Sequence, residues 1–157
     1  MLGYYNDLET TAEIMRGGWF HTGDLGKFDE EGFLYITGRC KNVIVTNNGK
    51  NIYPEELEAR LMDESIIAEA VVIGIPSIKG DDISVKAKIY PDMDMINEIY
   101  KGAVCSDEAI RLTVKDVVEK INDNMPNYKR ITAIEIMKEP FEKTTTKKIK
   151  RFGANVE

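Results

Sequence analysis

The sequence predicts an α+β fold, a small and mostly antiparallel three-stranded sheet with packed helices, preceded by β-hairpins. Two hairpin patterns come early, around Glu30-Glu31-Gly32 and Asn47-Asn48-Gly49. Strand-like runs then stand at 69–76, 84–90 and 131–137, separated by segments of helical spacing. These elements lack the long regular alternation of a parallel βαβ sheet, which favours a small antiparallel one.

Residues 4–17 are polar with scattered apolar positions, fitting a short helix begun by Asp7 or Thr10 and stopped at Gly17-Gly18. Trp19 and Phe20 are expected to pack rather than bind ligand. His21, the only histidine, has no neighbouring nucleophile with a partner acid and reads as structural. The first hairpin sets LGKFD against FLYITG, where Phe33, Tyr35 and Thr37 alternate with Leu34 and Ile36. The second sets NVIVT against KNIY, its asparagines and glycine supplying the positive φ of a tight turn. Pro54 then opens a helix, with Glu55 and Glu56 at the positive end of its dipole and Leu57 and Leu61 on one face.

EAVVIGIP at 69–76 reads as a buried strand and Lys79-Gly80-Asp81-Asp82 as a loop. SVKAKIY at 84–90 turns Val85, Ala87 and Ile89 inward and Ser84, Lys86 and Lys88 outward. Helical spacing returns at Ile96, Ile99, Tyr100 and Ala103, with Met93 and Met95 as gap-fillers or surface. A stronger helix runs through Ile110, Val114, Val117, Val118 and Ile121 and ends before Pro126. ITAIEIM at 131–137 is a last strand, and the tail FEKTTTKKIKR shows no periodicity.

With 157 residues, 43% hydrophobic and 31% charged, the chain can build one core or two small ones without staples. Cys40 and Cys105 fit no metal-ligand spacing and are expected as reduced thiols of a cytoplasmic protein. A net charge of -6 argues against nucleic acid or an anionic membrane as partner. No run approaches the roughly 18 apolar residues of a transmembrane segment, and the N-terminus lacks the charged start and apolar run of a secretory signal.

Three segments carry candidate chemistry. In Thr22-Gly23-Asp24 a glycine allows close approach, and the carboxylate can accept from both hydroxyls of a ribose. In isolation an ordinary turn aspartate is the commoner reading. In Gly38-Arg39-Cys40-Lys41 the guanidinium can fork onto a phosphate or ribose oxygen, against the plainer reading of a solvated strand end. In the tail, Lys143, Lys147, Lys148, Lys150 and Arg151 gather among three threonines, enough to neutralise an anion, although most terminal charge runs face water.

Taken in order, these segments resemble the adenylate-forming superfamily of acyl-CoA synthetases, luciferases and nonribosomal-peptide adenylation domains. GWFHTGDLGKFDEEGFLYITGR is similar to the family's TGD motif and following hairpin, and GRCKNVIVTNNGKNIYPEELE to its GRxK…G…PxEIE segment. EKTTTKKIKR resembles the closing K-T-x-S-G-K-I-x-R element. The phrasing is most similar to the long-chain fatty acid-CoA ligase branch.

The resemblance implies that residues 1–38 end a large N-terminal adenylation domain missing from this chain, and that 39–157 form the mobile C-terminal lid. It implies formation of an acyl-adenylate from a fatty acid and ATP, then displacement of AMP by coenzyme A. Asp24, with Thr22, would hold the ribose hydroxyls, and Arg39 would support the ribose or phosphate. Lys41 would be the hinge, Gly49 would border the pantetheine channel, and Lys148 would be the catalytic lysine. The family usually has glycine just before that lysine; here the position is Lys147.

ATP or AMP, CoA and Mg2+ are expected only in the full-length enzyme, with no metal ligand in this stretch and nothing bound tightly by the fragment alone. The competing readings are a stand-alone lid-like binding module, and the lid of an aryl-acid or amino-acid adenylating enzyme.

Overall fold

The computed structural model describes residues 1–77, 82–101 and 105–151. The loop expected at Lys79-Gly80-Asp81 and the helical position Ala103 lie outside the described residues. Two compact units divide the chain, Met1–Asn42 and Val43–Glu157.

In the first unit, Asp7 starts α1 (Leu8–Ile14), its side chain accepting from the Thr10 amide at 3.0 Å. That satisfies one of the donors a helix N-terminus leaves open. The helix stops before the glycine pair because Gly17 and Gly18, at φ 58° and 81°, turn a minimal hairpin of β1 (Met15–Arg16) and β2 (Trp19–Phe20). Trp19 and Phe20 do not pack as expected: they are 78% and 45% exposed, since so short a ladder offers no layer to bury them.

The second hairpin pairs β3 (Asp24–Phe28) with β4 (Leu34–Arg39). Asp29 builds its turn by accepting from the Glu31 and Phe33 amides at 3.0 and 2.8 Å. Phe28, Phe33, Leu34, Tyr35 and Ile36 stay exposed on this hairpin. One 3-10 turn, Cys40–Asn42, ends the unit.

In the second unit, β5 (Ile44–Val45) and β6 (Asn51–Ile52) form a short hairpin and lead into α2 (Pro54–Met62), with Pro54 in the first turn. The three-stranded sheet has the order β7 (Ile67–Pro76), β8 (Ile83–Pro91), β9 (Ile131–Ile136). The β7–β8 pair is antiparallel and the β8–β9 pair parallel. A parallel neighbour needs a crossover. Here it contains α3 (Met93–Ile99), capped by Asp92, and α4 (Asp107–Asp123), capped by Ser106. Asn122 closes the crossover with both ends of its amide: Nδ2 donates to Ile131 O at 2.9 Å and Oδ1 accepts from Ile131 N at 2.8 Å.

One sheet face, Ala70, Val72, Val85, Ala87 and Ile89, packs in a single core with Leu57 and Leu61 of α2 and Ile110, Val114, Val118 and Ile121 of α4. Burying each large aliphatic side chain contributes roughly 1.5–3 kcal/mol. The opposite face is covered as well, by Phe141 against Val71, with Ile73, Tyr90 and Ile149 around them. Lys88 therefore departs from its expected solvent exposure. It is 4% exposed, with its ammonium 4.0 Å from Glu135, which also pairs with Lys86 at 2.5 Å. The side chains of β8 do alternate between the two faces, but the tail closes the face opposite the main core.

Candidate functional site

The β3–β4 register sets Asp24 opposite Arg39, so the candidate ribose carboxylate and the candidate phosphate cation meet at the open end of one hairpin. Arg39 Nε lies 2.8 Å from Asp24 Oδ1 and its Nη1 donates to Thr22 O at 3.3 Å. Thr22 Oγ1 accepts from the Asp24 amide at 3.1 Å, and the Cys40 amide donates to Gly23 O at 2.9 Å. Three of the sequence-predicted residues thus form one polar cluster, partly open to solvent. A carboxylate keeps further lone pairs after one such contact, and a guanidinium keeps further N–H donors, so the pair can still receive a polar ligand. Lys41 is exposed in the adjacent 3-10 turn.

Gly49 occupies the β5–β6 turn at φ 72°, where its lack of a Cβ avoids strain, and donates to Thr46 O at 2.8 Å. Asp82 ties this turn to the sheet by accepting from the Asn47 amide at 3.1 Å. Beside it a cavity of about 160 Å³ is lined by Thr46, Asn48, Lys50, Tyr128 and Arg130 among others, with the Lys50 ammonium 4.5 Å from the centre of the Tyr128 ring.

The tail folds into a small hairpin. Lys143 bridges Ile149, Thr144 N donates to Lys148 O at 2.8 Å, Lys147 N to Thr144 O at 2.9 Å, and Lys150 N to Glu142 O at 2.9 Å. Lys147 turns the tip at φ 61°. Of the tail's cations, Lys143 pairs with Glu69, Lys150 with Glu142, and Arg151 with Glu58 and Glu55. Lys147 and Lys148 are exposed and form no ion pair among the described residues.

Two carboxylates here escaped the sequence reading. Glu58 and Glu69 are 7% and 8% exposed. Burial pushes the Glu58 carboxyl above its ordinary range, opposed chiefly by the charge of Arg151. A signal existed for each: Glu58 borders the Leu57–Leu61 stripe on the helix, and Glu69 shares a strand face with Val71 and Ile73, too apolar a face to be left in water.

The sequence-predicted residues fall in both units: Thr22, Asp24, Arg39 and Lys41 in the first, Gly49 and Lys148 in the second. No cluster of three or more His, Cys, Asp or Glu side chains suited to a metal ion occurs among the described residues. No helix among them is long and apolar enough to cross a membrane.

The chain is 34% identical over 162 residues to a long-chain-fatty-acid–CoA ligase of Mycobacterium tuberculosis, covering 95% of this chain and 26% of that protein. It is 48% identical over 84 residues to a long-chain-fatty-acid–CoA ligase of Bacillus subtilis, covering 53% of this chain and 15% of that one. Among solved structures, an anthranilate CoA ligase in complex with anthranoyl-AMP superposes with a TM-score of 0.73 at 28% identity, over 94% of this chain and 26% of the other. No family model matches. The chain is homologous to the C-terminal region of acyl- and aryl-CoA ligases of the adenylate-forming superfamily. It spans about a quarter or less of the length of these relatives.

Proposed function

We propose that this chain is the C-terminal part of an AMP-forming fatty acid–CoA ligase, in which residues 1–38 complete the adenylation domain and 39–157 act as the mobile lid. The observation that carries the proposal is Lys148, an exposed ammonium without an ion-pair partner among the described residues, on a hairpin held at both ends. When a carboxylate attacks the α-phosphate of ATP and pyrophosphate leaves as the acyl-adenylate forms, two anions meet. A fixed cation offsets that charge without reorganising at the moment of reaction. In the second step the thiol of coenzyme A displaces AMP from the acyl-adenylate.

Asp24 would accept the ribose hydroxyls, with Thr22 shaping the turn and Arg39 supporting ribose or phosphate. Rotation about Lys41 would exchange the Lys148 hairpin for the Gly49 turn at the active site, where the glycine would border the pantetheine channel. Mg2+ would be held by the adenylation domain together with the phosphates of ATP. That domain is the expected partner of the apolar β3–β4 hairpin, whose Phe33, Leu34 and Ile36 would otherwise remain in water. A cytoplasmic location fits this assignment.

A fatty acid is favoured because both ligases cited from Mycobacterium and Bacillus act on one by name. An aryl acid is the second reading, supported by the anthranilate ligase. Two measurements test the proposal: the size of the native polypeptide, and CoA thioester formation by it from palmitate and from anthranilate. A polypeptide several times heavier than 17.8 kDa that is selective for palmitate is expected. A native band at 17.8 kDa, or activity with neither acid, would contradict it.

A further inference from the structure

We infer that Glu58 and Glu69 are positioning residues, a two-point carboxylate clamp that fixes the hairpin carrying Lys148. This deepens the reading above and rests on it for the catalytic role of that lysine. Glu69, on β7, receives the tail where it enters: Oε2 accepts from the Phe141 amide at 2.8 Å and Oε1 pairs with Lys143 Nζ at 2.5 Å. Glu58, on α2, receives the tail where it leaves: one oxygen pairs with Arg151, and the other accepts from the Val72 amide on β7 at 2.7 Å.

The second contact gives Glu58 a further duty. β7 is an edge strand of its sheet, and an outward amide there needs a partner that no neighbouring strand supplies. Each carboxylate therefore joins the tail to β7, one directly and one through α2. A buried carboxylate is stable only when its oxygens are satisfied. Loss of the tail contacts would leave both charges poorly compensated, which makes the docked arrangement strongly preferred. Phe141 and Ile149 pack in one apolar cluster with Val71 on the sheet. Lys148 adjoins Ile149 and sits three residues from Arg151, so its backbone is held while its side chain stays free.

Amide hydrogen exchange on the 157-residue chain tests the clamp directly. In Glu69→Gln and, separately, Glu58→Gln, exchange at Thr144, Lys147 and Lys150 is expected to accelerate about tenfold or more, the effect of losing one charge-assisted contact. Val114 and Val118, in the core of α4, should be unchanged. Equal acceleration in α4, or none in the hairpin, would overturn the clamp. In the proposed longer ligase, Glu69→Gln should lower the rate of acid-dependent pyrophosphate exchange with the KM for ATP unchanged, and have no further effect on top of Lys148→Ala. An additive loss would overturn the positioning role. Full activity of Lys148→Ala would overturn the catalytic reading instead, leaving the clamp to be decided by hydrogen exchange.

Discussion

Asp24 and Arg39 face each other across the β3–β4 hairpin at 2.8 Å, with side chains 29% and 55% exposed. An ion pair so open to water contributes little to stability, about 0–1 kcal/mol. Under the proposed role of Asp24 in holding the ribose, fold and function should separate on mutation. Asp24→Asn is expected to leave the melting temperature nearly unchanged and to raise the KM for ATP in the longer ligase at least several-fold. A large loss of stability with unaltered KM would reverse this assignment.

Lys147 holds φ 61° at the tip of the tail hairpin, a region that costs a side-chain-bearing residue roughly 1–2 kcal/mol. It is also the position where the resembling family usually has glycine. Lys147→Gly should stabilise the hairpin by about 0.5 kcal/mol, after roughly 0.5–1 kcal/mol is lost to the greater freedom of glycine in the unfolded chain. Slower amide exchange at Thr144 and Lys150 would show it.

Gly74 lies in β7 where an added Cβ would meet Ile44 Cγ2 at 2.9 Å and Ile83 Cγ2 at 3.0 Å. Ile44 is core, so the neighbour has little room to yield. Gly74→Ala is expected to destabilise the second unit by about 1–3 kcal/mol in urea unfolding, the range for an overpacked core.

The hydrogen bond from Lys86 holds the Glu135 carboxyl below its ordinary value of 4.5. A carboxylate with a lowered pKa in the folded state contributes stability that is present above that value and lost as pH falls through the lowered one. With Glu135 40% exposed, solvent screening keeps this below about 1 kcal/mol. Glu135→Gln should therefore be slightly less stable than the parent at pH 7, with the difference closing on acidification. A difference that grew as the pH fell would contradict the sign.

Much of the fold was legible because its signals are local. Pro54 with Leu57 and Leu61, the alternation of Val85, Ala87 and Ile89, and the spacing from Ile110 to Ile121 all lie within one element. The tail was not legible. Its order depends on partners far away in sequence, Glu69 for Phe141 and Glu58 for Arg151, and no periodicity encodes such contacts. Lys88 is buried for the same reason, because the tail covers a sheet face that its own strand pattern assigns to solvent. At the candidate site, Thr22, Asp24 and Arg39 were found separately, and the hairpin register joins them. Lys148 was reached through resemblance alone, and the structure adds the clamp that holds it.

Acid-dependent pyrophosphate exchange by the proposed longer ligase, compared for Lys148→Ala and Lys147→Ala, tests the central claim most directly. Loss of a cation that offsets transition-state charge costs about 100-fold or more. Lys148→Ala is predicted to fall by at least that much and Lys147→Ala to stay near the parent. Full exchange activity in Lys148→Ala, with the loss in Lys147→Ala instead, would contradict the account.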